Sequence, residues 1–102
     1  GAEARRNAAL AGAIRGTRDA QAALRTAESR LNFLRTRAEP EAVEAVRIAR
    51  EGFSAGRFTL LDVLDAEEAL NTVQSDIITA EQERGQAAAA LIRATQTLGS
   101  NQ

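Results

Sequence analysis

The most distinctive chemistry in this 102-residue sequence is a run of carboxylates that no basic residue interrupts. From Phe58 to Glu83 there are seven acidic residues and no Arg, and Asp62 and Asp65 begin the run three positions apart. Three positions along an α-helix bring two side chains to the same face. Carboxylates gathered on one face can attract cations or a basic partner surface. The alternative is a solvated helix face whose first acids stabilise a helix N-terminus.

The residue types that are missing exclude most catalytic and metal chemistry. The sequence contains no Cys, His, Met, Trp or Tyr. It therefore has no thiolate nucleophile or zinc site, and it lacks the commonest general base and transition-metal ligand. A glycine-rich phosphate loop and a metalloprotease helix motif are absent too. We expect neither an enzyme nor a protein that holds a cofactor or a metal ion.

Charge and hydropathy argue against two further roles. Thirteen Arg are balanced by fourteen acids, for a net charge of −1, whereas binding to a nucleic-acid backbone needs a surplus of positive charge. No stretch of about 20 apolar residues could span a bilayer. The chain starts at Gly1 without a signal peptide, so we expect a piece of a larger protein that does not itself span the membrane.

Two long helices are predicted to position the acids. Ala accounts for 23 residues, and small and aliphatic residues recur at alternating spacings of three and four, which is typical of helices packed along a heptad seam. We predict an all-α fold, a long antiparallel hairpin over 1–102, with helices at 2–55 and 60–98 and a turn at 56–59. The predicted seam of the first helix is Leu10, Ala13, Thr17, Ala20, Leu24, Ala27, Leu31, Leu34, Ala38, Ala42, Val46, Ala49 and Phe53. That of the second is Val63, Ala66, Leu70, Val73, Ile77, Ala80, Arg84, Ala87, Leu91, Ala94 and Leu98.

Pro40 interrupts the first helix in the sequence. Its ring crowds the preceding turn and it has no N–H to donate, so we expect the first helix to be kinked or broken there. The seam continues beyond Pro40 but is shifted by one residue.

The turn has the clearest local signals in the chain. Gly56 is predicted to end the first helix, because glycine readily takes the left-handed conformation found after helices. Thr59 is predicted to cap the second helix, with Asp62 as its reciprocal partner in a capping box. Phe58 and Val63 are placed to form the accompanying hydrophobic staple.

Charge and apolar residues are unevenly distributed around these elements. Residues 1–40 contain 8 Arg and 4 acids, whereas residues 41–102 contain 5 Arg and 10 acids. Beside the seam of the second helix lie further large apolar residues, namely Leu61, Leu64, Ile78 and Ile92. Because an isolated hairpin needs only one seam, this wider apolar face predicts further helical neighbours.

The segment from Arg50 to Ala66 resembles the best-known motif of the TolC-type outer-membrane efflux proteins. That pattern is an aromatic residue, two residues, Gly, a small hydroxylated residue and then Asp-Val-Leu-Asp-Ala at the start of a long helix. Phe53, Gly56 and Thr59 fill the first positions, and residues 62–66 read Asp-Val-Leu-Asp-Ala. The family's later pattern of small residues, Leu and Gly is met by Ala87–Ala90, Leu91, Leu98 and Gly99.

The resemblance implies a duct in the outer membrane of Gram-negative bacteria that continues as an α-helical tunnel across the periplasm. Such ducts are homotrimers that serve tripartite efflux pumps, and their tip stays closed until a periplasmic adaptor (membrane-fusion) protein and an inner-membrane transporter dock. The hairpin is then the tip-forming periplasmic segment. Pro40 followed by Glu41 and Ala42 resembles the Czc-type heavy-metal subgroup, which implies export of divalent metal cations. The alternative is a generic helical-hairpin scaffold or oligomerisation module without channel function.

The resemblance also implies roles for residues around the turn. Asp62 and Asp65 occupy positions where family carboxylates line the tip constriction, and three subunits would form a ring that attracts cations. Phe53 stands where a tyrosine often contributes to the gate. The exposed turn against which an adaptor docks corresponds to Ala55, Gly56, Arg57 and Phe58.

Overall fold

The structure is a computed structural model in which residues 1–100 are described. Helix α1 spans Ala2–Phe33, a π-helical segment follows at Leu34–Ala38, α2 spans Glu39–Ser54, and α3 spans Leu60–Ser100. Within residues 1–100 there is no strand, and none of the helices combines the length and the apolar content needed to cross a membrane. The predicted all-α helical hairpin is confirmed.

The described residues pack as two units. One unit comprises residues 30–81, which contain the end of α1, the π-helical segment, α2, the turn and the first half of α3. The other comprises residues 1–29 and the part of α3 that follows residue 81. All of the candidate functional residues lie in the first of these units, which we call the turn unit.

The core of the turn unit is a thin layer between helices. Leu31 and Leu34 form a buried cluster with Ile77 and Ala80. Ala38 and Val73 pack against this cluster, and three further buried seam residues are Val46, Ala49 and Val63. Alanines at such positions let helices approach closely, and burial of the larger aliphatic side chains supplies the main stabilising free energy.

The second unit is packed more loosely. Its predicted seam residues, apart from Arg84, are half-buried, and none of its described residues is fully buried. Thr17 is a polar member of this seam, and its single hydroxyl hydrogen is shared between two backbone acceptors. It donates to the carbonyl of Ala13 at 3.1 Å and to the carbonyl of Ala94 at 3.5 Å.

The heptad pattern predicted the inward positions well, with two exceptions. Phe53 is 47% exposed, so its assignment to the seam is wrong, and the neighbouring Gly52 is buried in its place. Arg84 is also exposed, because a long charged side chain at such a position extends to solvent. The remaining predicted seam positions are buried or half-buried.

Pro40 is accommodated by a change in hydrogen-bond register. The N–H of Glu39 donates to the carbonyl of Leu34, five residues earlier, which is the spacing of a π-helix. Pro40 then lies in the first turn of α2, where its fixed φ is compatible with the helix. The structure thus has a π-helical turn where a kink or break was expected. The backbone is helical from residue 2 to residue 54.

Candidate functional site

The turn begins with a Schellman motif that closes α2. Gly56 has φ of 75°, the left-handed conformation predicted for it. Its N–H donates to the carbonyl of Phe53 at 3.0 Å, and the N–H of Arg57 donates to the carbonyl of Gly52 at 2.7 Å. These two bonds satisfy carbonyls that a helix end otherwise leaves unpaired. The backbone of the turn is consequently well defined by hydrogen bonds.

Phe58 folds back over the last turn of α2. A Cβ atom built on Gly52 would lie only 2.1 Å from Cδ2 of the Phe58 ring, so the ring occupies the space that any other side chain at position 52 would need. The N–H of Phe58 also donates to the carbonyl of Gly52, at 3.1 Å. Gly52 thus accepts two turn N–H groups and supports the aromatic ring. The sequence reasoning missed Gly52, although a glycine six residues before an aromatic was visible.

The predicted capping box opens α3. The N–H of Thr59 donates to Oδ2 of Asp62 at 2.8 Å, and the N–H of Asp62 donates to the Thr59 hydroxyl oxygen at 3.2 Å. Both bonds satisfy donors at the helix N-terminus. Asp62 therefore has a structural role, whatever further role it has.

The candidate gate residues lie at the surface of the turn unit. Asp65 is exposed one turn after the start of α3, and Phe53 is exposed in the last turn of α2. Asp62 and Phe58 both border a shallow depression of about 420 Å³, whose other lining residues are Ala45, Ile48 and Ala49. Within residues 1–100, no three acidic side chains converge in a way that could hold a metal ion.

A comparison with protein-family models decides the family. The model described as outer membrane efflux protein matches residues 1–97. The chain belongs to the outer membrane efflux protein family. The match includes α1, where the sequence showed only heptad periodicity. Searches of curated proteins and of solved structures found no match. As a family member, the chain is a component of an outer-membrane efflux channel, a class of protein that works with adaptor and transporter partners.

Some of the acidic residues between Phe58 and Glu83 of this efflux protein form ion pairs with Arg. Arg50 donates from Nη2 to Oε1 of Glu67 at 2.6 Å, which links α2 to α3. Arg35 pairs with Glu81 and makes a second link between the arms of the turn unit. Two of the seven acids are therefore partnered by Arg, whereas Asp65 stays free to face another molecule.

A third ion-pair group lies entirely on α2. Arg47 donates from Nε to Oε2 of Glu44 at 2.9 Å and from Nη1 to Oε1 of Glu51 at 2.7 Å. The hydrogen bond from Arg47 stabilises the carboxylate of Glu44 and lowers its pKa below the ordinary value of 4.5. The two carboxylates in turn raise the pKa of Arg47.

Glu44→Gln is expected to show a pH-dependent loss of stability. Because the pKa of Glu44 is lower in the folded state, its contribution is present above pH 4.5 and is lost as the pH falls through the folded-state pKa. The difference in unfolding free energy between wild type and Glu44→Gln should therefore be small, as for exposed pairs in general, and should vanish in acid. Urea unfolding followed by circular dichroism at several pH values measures it. A difference that is the same at every pH, or that Glu68→Gln on α3 reproduces, would contradict the assignment.

Proposed function

We propose that this chain forms the periplasmic tip of an outer-membrane efflux duct, where two helices reverse direction and an adaptor protein docks. The observation that carries the proposal is the turn itself, in a chain whose family match covers residues 1–97. Its backbone is held by the Schellman motif, the Gly52–Phe58 contact and the capping box. Because these three sets of contacts fix its conformation, the turn presents a preorganised surface, which favours binding of a partner.

The surface at the turn has the character of a docking site. Ala55, Gly56, Arg57 and Phe58 are all exposed. The depression beside them is lined mainly by apolar side chains, with Asp62 as its carboxylate. Apolar surface ringed by a few charged groups is typical of protein interfaces. The periplasmic adaptor of the efflux system is the proposed partner, and the inner-membrane transporter is engaged through it.

Ala55→Trp is expected to abolish binding of the cognate adaptor hairpin to the chain. Ala55 has φ of −86°, so a large side chain there adds bulk to the turn without the backbone strain that Gly56, at φ of 75°, would suffer. The measurement is the dissociation constant by isothermal titration calorimetry, and a loss of about 100-fold or more is expected for a bulky group at an interface centre. Thr72→Trp, at an exposed position of α3, is the matched control.

The same experiment separates the duct from the alternative of a generic helical scaffold. A scaffold hairpin has no reason to bind an adaptor through its turn, so absence of binding by the wild-type chain favours the scaffold. Equal weakening by Ala55→Trp and Thr72→Trp would place the contact away from the turn.

Homotrimer formation is part of the proposal. Large apolar side chains of α3 remain exposed, including Leu60, Leu61, Leu64, Ile78 and Ile92. Exposed apolar side chains along one element favour packing against further helices. Neighbouring subunits in a periplasmic tunnel would supply them. Sedimentation of the full efflux protein at three times its protomer mass is the expected result, and a monomer would count against the assembly.

The cargo proposed for the duct is a divalent metal cation, as in the Czc-type heavy-metal systems. Two features support it, namely the Pro40-Glu41-Ala42 sequence and the exposed carboxylate of Asp65 beside the capping carboxylate of Asp62. Repeated in three subunits, these carboxylates would surround the axis at the tip and favour cations over anions. Phe53 is the proposed apolar member of the same gate, since its ring is exposed at the end of α2.

A further inference from the structure

One side of the first arm of the turn unit carries two guanidinium groups and an exposed aromatic ring. Arg30, Phe33 and Arg37 each come directly before a residue that packs inward, so they form a stripe rotated by about 100° from the seam. The Phe33 ring is 54% exposed. Within residues 1–100, Arg30 has no ion pair, and Nε of Arg37 lies 3.8 Å from Oε1 of Glu41. We call this surface the basic stripe, and Arg and aromatic side chains are enriched where binding energy concentrates in protein interfaces.

A stripe of the opposite charge follows α3, and its members are Thr72, Asp76, Thr79 and Glu83. The first three each come directly before a residue that packs inward. Asp76 is half-buried, yet within residues 1–100 its carboxylate has neither an ion pair nor a hydrogen bond. A carboxylate that loses water without gaining a partner costs free energy, which a neighbouring cation offsets. A guanidinium group from another molecule would supply that cation to this acidic stripe.

The two stripes lie close to the angle that a ring of three hairpins requires. Three hairpins contribute six helices to a ring, so the directions from each helix to its two neighbours differ by about 120°. Each stripe is rotated by about 100° from the inward direction of its own arm. Because the arms are antiparallel and both stripes precede the seam by one residue, both lie on the same face of the hairpin. Each hairpin thus offers a basic stripe to one neighbour and an acidic stripe to the other.

Symmetry also determines which residues of two copies meet. Subunits of a closed ring are related by rotation, so equivalent residues lie at equal heights along its axis. Inside the hairpin, the buried cluster sets the register of the antiparallel arms, with Leu34 level with Ile77. Arg37 of one copy is then within two residues, or about 3 Å, of the height of Asp76 in the next copy. An Arg side chain easily spans this offset.

We propose that a second copy of the chain covers each stripe in the homotrimer. The contact consists of three pairs, namely Arg37 with Asp76, Phe33 with Thr79 and Arg30 with Glu83 of the partner subunit. Two ion pairs then flank an aromatic ring that packs on a threonine methyl group, and Asp76 gains the cation that it lacks within its own chain. The inference rests on the duct proposed above, because it names a surface through which the subunits of that duct contact each other.

A disulfide bond between subunits tests the contact. This chain has no Cys, so Phe33→Cys with Thr79→Cys places one thiol on each stripe of a full efflux protein free of other Cys. Oxidation should join three subunits into a covalent trimer on a denaturing gel. Phe33→Cys with Thr72→Cys is the matched control, because Thr72 lies on the same stripe about 10 Å from Thr79 along α3. A disulfide needs Cα atoms within about 7 Å, so the control should give at least about tenfold less covalent trimer.

Charge reversal tests the central ion pair separately. In the Phe33→Cys, Thr79→Cys background, Arg37→Glu and Asp76→Arg should each lower the yield of covalent trimer about tenfold, because like charges then face each other between subunits. The two reversals together should restore the yield, since the pair is re-formed with its charges exchanged.

The outcomes separate this contact from the duct itself. A protein that sediments as a trimer but gives no covalent trimer, or gives as much with Thr72→Cys as with Thr79→Cys, overturns the contact and leaves the duct standing. A protein that sediments as a monomer overturns both. The contact also fails if the combined charge reversal does not restore the yield.

Discussion

Gly52→Ala is expected to destabilise the chain by about 2 kcal/mol, which is typical when a methyl group is forced into filled space. The new Cβ would lie 2.1 Å from Cδ2 and 2.6 Å from Cε2 of Phe58, so the ring has to leave its position. Moving the ring disturbs the residue whose N–H, with that of Arg57, donates to the carbonyl of Gly52. Urea unfolding followed by circular dichroism at 222 nm measures the change.

Gly85→Ala is the matched control for this prediction. Gly85 lies inside α3 and has nothing within 4 Å of its Cβ direction. Alanine favours helix over glycine by up to about 1 kcal/mol, so this substitution should stabilise the chain while the same change at Gly52 destabilises it. In a Phe58→Ala background the clash is gone, and Gly52→Ala should become neutral or stabilising. If Gly52→Ala stabilises the wild-type chain as Gly85→Ala does, the ring does not rest on Gly52.

The turn shows how far the sequence determines this site. Gly56 and the Thr59–Asp62 box follow from backbone rules that act within four residues, so both were predicted and both are present. The inward position at the end of α2 was predicted as Phe53 because this residue continues the 4-3-4 spacing of Ala42, Val46 and Ala49. The structure buries Gly52 instead, since the Phe58 ring arrives from beyond the turn. That contact links two elements, and no local pattern encodes it.

The π-helical segment was predictable only in part. The one-residue shift of the seam around Pro40 indicated that something must change there, and a proline suggested a kink or break. The hydrogen bond from the N–H of Glu39 to the carbonyl of Leu34 accommodates Pro40 and the shifted seam without ending the helix. It depends on the two arms staying packed together on both sides of the segment, as the burial of Leu31 before it and of Val46 and Ala49 after it shows. Such packing is a tertiary property, which sequence periodicity along one arm does not contain.

Asp65→Asn is expected to reduce the cation selectivity of the full efflux protein in planar bilayers. Asp65 is the cleaner test of the proposed gate, because Asp62 accepts the N–H of Thr59 and its loss would also weaken the start of α3. Removing one exposed charge per subunit near a narrow pore changes the free energy of a passing cation by about 1 kcal/mol. The cation-to-anion permeability ratio, obtained from reversal potentials, should therefore fall about fivefold. Replacing both Asp62 and Asp65 by Ala should, in addition, raise the conductance of the closed state.

A substitution that removes the same charge elsewhere and a measurement at high salt concentration are the controls for the gate prediction. Asp19→Asn removes the same charge from α1 and should leave the permeability ratio unchanged. The effect of Asp65→Asn should also shrink in 1 M salt, where charges are screened within about 3 Å. A gate carboxylate must act at short range on the ion path, so equal effects of the two substitutions would indicate a general surface-charge effect. No change in either conductance or selectivity would place Asp65 outside the pore, and the carboxylates of the turn would then serve α3 and its partners alone.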